Sequence, residues 1–411
     1  MALDRDELAR RRQARQEQRL ARQAQRKKLF IRLAIAVAIL VLCAVVITLV
    51  VRSVQEKKRQ ELAKEHETTV IHLTAAGDLN INSAVVNSGG VVYDYSTTFL
   101  DVAHLLANAD VSTVNFEGVL CGEPYGDSKS APQALVNTLA DCGIDLVQLA
   151  NSYSIYKGVS GLSSTISGIR SAGMEPLGVY ANAEEYENGK GYTICTVRGI
   201  KIAFIAFTKG MDGMALPGGS EDCVNVLYTD YASTYQKVDT EGITSVIKAA
   251  QKEDPDLIVA MLHWGSEFND TISASQETIQ KLLQKNGVNV ILGTHSHYVQ
   301  KMDLDTDDNQ FIAYSLGDFI SDAQRSGTEY SVLLDLEITK DNVTGETSIT
   351  GYSYVPIFTV AEEGKPLRVV RIREAMAAYE EGHIDAVSEQ TYEAMKYALQ
   401  RIEARIAGPK N

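Results

Sequence analysis

Hydrophobic positions along this chain follow two patterns that alternate from residue 69 onward. Short apolar runs, typical of strands buried on both faces, are separated by segments with the three-to-four-residue apolar spacing of helices. The alternation predicts an α/β layered fold. The predicted strands are Val70–Ala76, Val111–Phe116, Leu146–Leu149, Ile202–Phe207, Leu257–Leu262 and Val290–Leu292, and the predicted helices are Pro132–Cys142, Leu162–Ala172, Val238–Lys252 and Gln276–Lys285.

Segments nearer the C-terminus follow a different pattern. Phe311–Tyr314, Tyr330–Ile338 and Thr347–Val360 are strand-like, with few helical segments between them. They predict a second sheet, mixed or antiparallel, that completes a domain of residues 69–360. The segment from Arg371 to Ala407 has helical spacing and is rich in Ala, Glu, Tyr and Arg. We expect it to form one or two helices outside the core, within a C-terminal extension of residues 361–411.

The N-terminal region predicts a membrane anchor. Residues 33–51 carry no charge, and at about 1.5 Å per residue a helix of this length comes close to the roughly 30 Å of a bilayer core. Because no small-residue cleavage site follows, we expect an uncleaved transmembrane helix rather than a signal peptide. The remaining alternative is a buried core helix, and the charged segments on both sides argue against it. Residues 52–68 are charged and helix-prone, which suits a juxtamembrane stalk.

The distribution of charge predicts the orientation of the anchor. Residues 1–32 contain 11 Lys or Arg and 4 Asp or Glu, so this basic tail is expected in the cytoplasm and the C-terminal domain outside the cell. Removing the +7 of the tail from the total of −14 leaves −21 for the rest of the chain. Such an acidic surface argues against nucleic acid as a partner.

The cysteines fit an extracellular domain without determining its disulfides. Cys121, Cys142, Cys195 and Cys223 follow the predicted anchor, and disulfides are permitted in that compartment. Their spacing alone does not give the pairing, and the sequence contains no zinc-knuckle spacing.

Polar residues that can bind a metal follow several of the predicted strands. Asp78 follows the first strand, Glu117 the second, and His295 and His297 follow Val290–Leu292. In an α/β fold the ends of parallel strands converge on one crevice. Imidazole and carboxylate together suit Zn, Mn or Fe rather than Ca. Structural explanations are also open, because Gly-Asp is a common turn and Glu117 can cap a strand end.

The segment Met261 to Glu267 carries the only tryptophan of the chain, Trp264, between His263 and Glu267. A single histidine after an apolar strand is more often a hydrogen-bonded core residue than a ligand. Two histidines at positions i and i+2, as at His295 and His297, are a more specific signal, because both rings can point at one ion or at two adjacent ions.

The order of these motifs resembles the CapA family of bacterial capsule and poly-γ-glutamate synthesis proteins, which is related to the calcineurin-like metallophosphatases. The resemblance covers roughly Thr69 to Val360. It implies a metallophosphatase-like sandwich of two mixed sheets flanked by helices, with a site at the strand ends. The motifs that carry it are Gly77-Asp78, Asn115-Phe116-Glu117-Gly118, the run from Cys142 to Asn151, His263-Trp264-Gly265-Ser266-Glu267, His295-Ser296-His297 and Tyr314-Ser315-Leu316-Gly317-Asp318-Phe319.

The resemblance also implies roles for individual residues. Glu267 would support the site or act as an acid or base. Two bound divalent ions (Mn, Zn or Fe) would activate a bridging water and hold a phosphoryl or acyl oxygen. The residues that would face the metal are Asp78, Glu117, His263, His295 and His297.

Two motifs depart from the family pattern in ways that affect chemistry. The family's Asn-Asn-His is Asn151-Ser152-Tyr153 here, and in the related phosphatases the second Asn and the His supply a metal ligand and a proton donor. Tyr, with a reference pKa of about 10, is a poor general acid near neutrality. Asn151 and Tyr153 are nevertheless the catalytic candidates of this segment. The family's Ser-Leu-Gly-Asn-Phe ends here in Asp318-Phe319, and we expect Asp318 to be a solvated loop residue, with an additional metal ligand as the alternative.

Two classes of function fit the sequence. One is a membrane-anchored protein that binds an anionic surface polymer or cell-wall component and works with capsule synthesis membrane proteins. The other is a metal-dependent hydrolase or transferase acting on a phosphoester, amide or cell-wall substrate. The changed Asn-His segment favours the first class, and the surviving Asp, Glu and three His favour the second. A polyanion would be repelled by the acidic domain unless a cation or a basic patch intervenes, which favours a metal if poly-γ-glutamate is the ligand.

Overall fold

The computed structural model describes residues 46–58, 67–383 and 387–408. Residues 46–58 form helix α1. Among these described residues, no helix is both long and apolar enough to cross a membrane. Residues 33–45 of the predicted anchor and the whole of the basic tail lie outside the described residues. The chain divides into one unit that ends at Glu67 and a second unit from Thr68 to Asn411.

The first sheet of the second unit has eight strands in the order β14-β13-β12-β1-β2-β3-β4, with β11 also paired to β1. Strands β1 to β4 and β11 are parallel, whereas β12, β13 and β14 pair in antiparallel fashion. The strand bounds are β1 Thr68–Asn80, β2 Val111–Glu117, β3 Leu146–Gln148, β4 Glu175–Leu177, β11 Asp318–Ile320, β12 Tyr330–Asp341, β13 Thr347–Val360 and β14 Arg368–Arg371.

The second sheet has six strands in the order β5-β6-β7-β8-β10-β9. Its central strands β6, β7, β8 and β10 are parallel, and the edge strands β5 and β9 are antiparallel to their neighbours. The strand bounds are β5 Tyr192–Val197, β6 Ile200–Thr208, β7 Leu257–His263, β8 Val290–Thr294, β9 Met302–Asp305 and β10 Gln310–Ala313.

Helices cover the outer faces of both sheets, so the unit is a four-layer sandwich. One apolar cluster joins the first sheet to α2–α5, and another joins the second sheet to α7 and α8. A third cluster, with residues of both sheets, fills the space between the sheets. The helix bounds are α2 Ser83–Asn87, α3 Leu100–Ala107, α4 Gln133–Asp141, α5 Gly158–Ser171, α6 Ala183–Gly189, α7 Thr240–Gln251, α8 Ala274–Lys285, α9 Ile372–Glu380 and α10 Glu389–Ala407, with a 3₁₀ turn at Glu221–Cys223.

The central strands are buried because both of their faces are covered. Every residue of β2, β7 and β8 is buried. Helix α8 begins with a capping box between Ser273 and Gln276, which fixes its first turn. The predicted α/β layering with two mixed sheets is confirmed. Among the described residues Cys121, Cys142, Cys195 and Cys223 are free thiols.

Two expectations about the C-terminal part were wrong. The late strands do not form a sheet of their own: β12, β13 and β14 extend the first sheet, whereas β10 joins the second. Helix α10 does not lie outside the core, because Met395, Ala398, Ile402 and Ile406 are buried in the cluster between the sheets. Its apolar face covers an end of this cluster that the strands alone leave open to water.

Candidate metal centre

The first sheet supplies three carboxylates to one buried location. Asp78 lies in β1, Glu117 ends β2, and Asp318 begins β11, and all three are at most 3% exposed. Strand register places Asp78 opposite Asp318 and Asn80 opposite Glu117. The backbone N–H of Asp78 donates to the carbonyl of Gly317 over 2.9 Å. A Cβ at Gly77 would lie 1.8 Å from that carbonyl oxygen, so only glycine permits this close approach.

The second sheet supplies three imidazoles to the same location. His263 ends β7, and His295 and His297 follow β8, its parallel neighbour. His295 and His297 have φ of 85° and 59°, left-handed conformations in which the chain turns sharply at the strand end. The backbone N–H of His295 donates to Asp78 Oδ2 over 2.9 Å, which joins the two sheets. The ring of Phe268 stacks on His297 with centroids 5.0 Å apart.

Together these six side chains form two groups of three with metal-ligand geometry. Glu117, His263 and His295 bring one ligand atom each within 4.8 Å of one another, and so do Asp78, His297 and Asp318. The groups are adjacent, because the Asn115 amide nitrogen lies 2.6 Å from Asp78 Oδ1 and 3.4 Å from Glu117 Oε1. Such a pair of mixed carboxylate–imidazole triads suits two transition-metal ions.

Burial dominates the electrostatics of the two groups. It raises the pKa of Asp78, and it raises the pKa of Glu117 well above its ordinary value. Burial lowers the pKa of His263 and of His295 well below the ordinary value of histidine, so both rings are neutral and can act as ligands at neutral pH.

The second group contains a tightly coupled ion pair. His297 Nδ1 lies 2.7 Å from Asp318 Oδ1 and 3.6 Å from Asp78 Oδ2. Burial alone would lower the pKa of His297, but the carboxylates of Asp318, Glu117 and Asp78 raise it well above its ordinary value. Burial raises the pKa of Asp318 to about 7 against the opposing charge of His297. Without a metal, the proton on His297 therefore compensates part of the buried negative charge.

His295 provides the test of whether a metal fits this site. Its side chain is 4% exposed, yet neither Nδ1 nor Nε2 has a hydrogen-bond partner. Buried polar atoms are nearly always paired, because leaving one unpaired costs about 1–3 kcal/mol. A metal ion between Glu117, His263 and His295 would give the ring the partner it lacks. The residues present therefore fit a metal.

The candidate segment after β3 lies at this centre, and its three residues have different surroundings. The Asn151 amide donates to Asn115 Oδ1 over 3.1 Å and to the Phe116 carbonyl over 2.7 Å, so it orients the backbone and amide beside Glu117. Ser152 Oγ lies 3.1 Å from His263 Nε2. Tyr153 is half-buried, and burial raises the pKa of its hydroxyl, which makes it a weaker acid still.

A cavity of about 280 Å³ opens beside the first group. Glu267 is exposed at its wall, and the structure brings it to the same cavity as His295 without a hydrogen bond to any of the six ligands. Trp264 is fully buried; its Nε1 donates to the Tyr314 carbonyl, so it anchors β7 rather than facing the cavity. The cavity walls are formed by Ser152, Lys209, Gly210, Asp212, Tyr235, Ser266, Glu267 and His295.

The structure corrects the expectation for Asp318 and adds residues that the sequence did not single out. Asp318 is not a solvated loop residue: it is 3% exposed and pairs with His297. The repeat of Gly-Asp at Gly77-Asp78 and at Gly317-Asp318 was the sequence signal that could have revealed it. Asn115, which connects both groups, belongs to the Asn-Phe-Glu-Gly motif and lies two residues before Glu117 in β2. The two lysines near the centre, Lys129 and Lys209, had no such signal.

The chemistry open to this centre follows from its ligands. Two bound divalent ions would supply Lewis acidity and a water of lowered pKa. The chain itself contributes the neutral imidazoles of His263 and His295, a positively charged His297 beside Asp318, and the Ser152 hydroxyl next to His263. Burial of all six ligands excludes bulk water, which strengthens each electrostatic contact.

The chain is similar to a known protein family, to individual characterised relatives and to solved structures. The sequence model of the family described as "Bacterial capsule synthesis protein PGA_cap" matches residues 72–323. The chain is 26% identical over 324 residues to "Capsule biosynthesis protein CapA" of Bacillus anthracis, covering 75% of this chain and 73% of that protein. It is 24% identical over 215 residues to "PGA biosynthesis protein CapA" of Bacillus subtilis (strain 168), covering 52% of each.

Among solved structures, the chain is similar to the calcineurin-like phosphoesterase YfkN from Bacillus subtilis. The TM-score is 0.43 at 13% identity, and the alignment covers 82% of this chain and 98% of that one. A similarity of this size is too low to transfer a site or an activity.

Proposed function

The chain belongs to the PGA_cap family of bacterial capsule synthesis proteins, and from this premise we propose that it takes part in making or exporting an anionic surface polymer of the capsule or poly-γ-glutamate type. The membership confirms the resemblance to the CapA family that the motifs indicated. The curated relatives named above support the role by their names, which refer to biosynthesis of capsule and of PGA.

The observation that carries the proposal is the pair of buried triads. Glu117, His263 and His295 form one and Asp78, His297 and Asp318 the other, and in each the three possible ligand atoms lie within 4.8 Å of one another. A protein that acted only as a scaffold would gain nothing from six buried ionisable side chains, because their desolvation destabilises the fold. We infer that the centre holds divalent metal and that the metal contacts the polymer or a cell-wall component.

The proposed location is the outer face of the cell membrane. The uncharged segment at 33–51 and the 11 basic residues before it support an anchor with a cytoplasmic N-terminus. In that arrangement the centre would meet the polymer where it leaves the membrane, together with capsule synthesis membrane proteins. Protease treatment of intact cells would test this: digestion of the domain from Thr68 onward is expected, and full protection would contradict it.

Metal content tests the centre itself. The purified full chain should contain near-stoichiometric Mn, Zn or Fe by elemental analysis, and a His295→Asn/His297→Asn variant should lose it. Asn is chosen because it tolerates the left-handed backbone of both positions. His104→Asn, on the exposed face of α3, serves as the matched control and should retain the metal. Absence of metal from the wild-type chain after supplementation would overturn the proposed centre.

A second function, metal-dependent hydrolysis or transfer, is favoured by one observation. The Ser152 hydroxyl lies 3.1 Å from His263 Nε2 at a centre with both triads complete, so a hydroxyl is placed where the family has an amide ligand. Phosphoester and amide model substrates should therefore be screened with the metal-loaded chain. The comparison variant is Ser152→Asn/Tyr153→His, which restores the family's Asn-His. If the variant hydrolyses a phosphodiester and the wild-type chain does not, the polymer-binding role is the better assignment; equal hydrolysis by both would support the enzyme.

A further inference from the structure

Two lysines near the metal centre share an unusual environment. Lys129 Nζ lies 4.4 Å from the centroid of the Tyr153 ring, and Lys209 Nζ lies 4.8 Å from that of Tyr235. Both side chains are half-buried, and within the described part of the chain neither makes an ion pair shorter than 4.0 Å. The aromatic faces hold the two ammonium groups without neutralising them.

Each ammonium group also retains donors for a ligand. Lys129 Nζ donates to Asn80 Oδ1 over 3.1 Å, and Lys209 Nζ donates to the Gly265 carbonyl over 2.9 Å. An ammonium group has three N–H donors, so two remain on each lysine. These contacts fix where the charge lies and leave it available.

Both lysines lie within reach of the metal-ligand groups. Lys209 lines the same cavity as His295, whose ring nitrogens have no protein partner. Lys129 rests on Tyr153, the residue after Ser152, which also lines that cavity. The backbone N–H of Lys209 donates to the His263 carbonyl over 2.8 Å, and Lys129 Nζ donates to Asn80, which lies opposite Glu117 in the strand register.

The exposed carboxylate of Glu267 acts electrostatically on both lysines. It lines the cavity with Lys209, and its charge raises the pKa of both lysines against the lowering caused by their burial. Asp212 also lines this cavity. Lys209 therefore lines a polar cavity with two exposed carboxylates at its wall, in an otherwise acidic domain, and Lys129 contacts Tyr153, the neighbour of the wall residue Ser152.

We propose that Lys129 and Lys209 form an oxyanion site beside the metal centre, which binds a carboxylate or phosphoryl group of the polymer or its precursor. This inference rests on the proposed function, because it names the chemical class that the same site recognises. Half-buried ammonium groups with free donors suit such oxygens, since charge-assisted hydrogen bonds are short and strong. They also remove the repulsion that an acidic domain would otherwise exert on a polyanion.

The test is anion binding to the metal-loaded full chain by titration calorimetry. The probes are inorganic phosphate and a γ-linked glutamate tripeptide, which distinguish the phosphoryl from the carboxylate source. Lys129→Met and Lys209→Met keep most of the side-chain length and remove the charge. Each is expected to weaken binding of the preferred probe by about tenfold or more. Lys248→Met, an exposed residue of α7, is the matched control and should bind like the wild-type chain.

Glu267→Gln provides a change of opposite sign. If its carboxylate competes with the ligand for the two lysines, removing the charge should tighten anion binding. Addition of salt should weaken binding in the wild-type chain more than in either Lys→Met variant, since fewer charges remain to be screened there.

Two results would overturn the oxyanion site. One is binding of neither probe to a metal-loaded wild-type chain, and the other is equal binding by the wild-type chain and both Lys→Met variants. A loss of the same size in Lys248→Met would show a non-specific charge effect and would also overturn it. Metal content is measured in every sample. Absence of metal from the wild-type chain would contradict the proposed metal centre. The comparison of the wild-type chain with the Lys→Met variants would still show whether anion binding depends on the lysines.

Discussion

Replacement of His295 by Asn should change the stability of the metal-free protein little and should remove stabilisation by metal at the first triad. The imidazole of His295 is 4% exposed and has no hydrogen-bond partner at either nitrogen, which costs the metal-free protein about 1–3 kcal/mol for each unpaired donor or acceptor. Asn tolerates the φ of 85° at this position, and its shorter side chain opens onto the adjacent cavity, where water can solvate the amide.

In the metal-free protein, two opposing contributions determine how much His295→Asn changes the free energy of unfolding. Removal of the unpaired ring relieves the cost above, whereas loss of its contact with His263, at 4.3 Å between centroids, removes packing. We therefore expect His295→Asn to change the free energy of unfolding by less than about 1 kcal/mol in the presence of a chelator. A buried histidine with a purely structural role would cost about 2 kcal/mol or more.

With metal bound, the wild-type chain should be more stable than the His295→Asn variant. At a free metal concentration of 100 times Kd, binding stabilises the wild-type chain by about 2.7 kcal/mol. For the unit from Thr68 to Asn411, an unfolding entropy of about 2.1 cal/mol/K per residue converts this into a rise in Tm of about 4 °C. The variant lacks one ligand of the first triad and should lose the rise of about 4 °C that this site contributes, keeping only the contribution of the second triad.

Thermal unfolding of the wild-type chain, His295→Asn and the exposed control His104→Asn, each with chelator and with Mn²⁺, measures these differences. The control should respond to metal as the wild-type chain does. The reasoning would be refuted if His295→Asn lost more than about 2 kcal/mol in chelator and the wild-type Tm did not respond to any of Mn, Zn or Fe. His295 would then be a structural residue whose partner is a buried water.

Three further predictions concern the fold around the centre. Ile402→Ala in α10 should reduce the free energy of unfolding by about 2–5 kcal/mol in urea denaturation, because Ile402 is fully buried. Tyr397→Ala on the exposed face of α10 should change it by less than about 0.5 kcal/mol. Equal effects of the two substitutions would contradict the burial of α10. Gly77→Ala should destabilise by about 3 kcal/mol or more and abolish metal binding, since its methyl group would lie 1.8 Å from a backbone carbonyl oxygen; retained metal content would contradict this close approach. Hydrogen bonds from Lys365 and from the backbone N–H of Ser388 lower the pKa of Glu362 from 4.5 to about 2. Ionised Glu362 therefore stabilises the fold by about 1–2 kcal/mol above pH 4.5, and this contribution is lost as the pH falls toward 2. In Glu362→Gln the free energy of unfolding should fall less steeply over this pH range, and an unchanged pH dependence would exclude the effect.

The sequence predicted the central strands and the longer helices well because their apolar spacing is determined locally. The run Leu257–Leu262 is β7 without its terminal histidine, and Gln276–Lys285 is α8 without its first two residues. Short edge strands such as β4 and β9 were missed, since three or four residues give too little periodicity. The sequence also did not predict that β12, β13 and β14 belong to the first sheet, because strand order depends on pairing between segments far apart in the chain.

At the centre, the sequence by itself determined which side chains are candidate metal ligands, and the tertiary structure decided which of them meet. Asp78, Glu117, His263, His295 and His297 were all predicted from their positions after apolar runs or from family motifs, and the fold brings them together. Their division into two triads, and the entry of Asp318 into one of them, arise only when β11 pairs with β1 and the two sheets face each other. Lys129 and Lys209 depend on the fold in the same way, because only the fold places each ammonium group against an aromatic ring and close to the metal centre. Local patterns fix which side chains end a strand, whereas contacts between residues far apart in the chain fix which strand ends share one buried space.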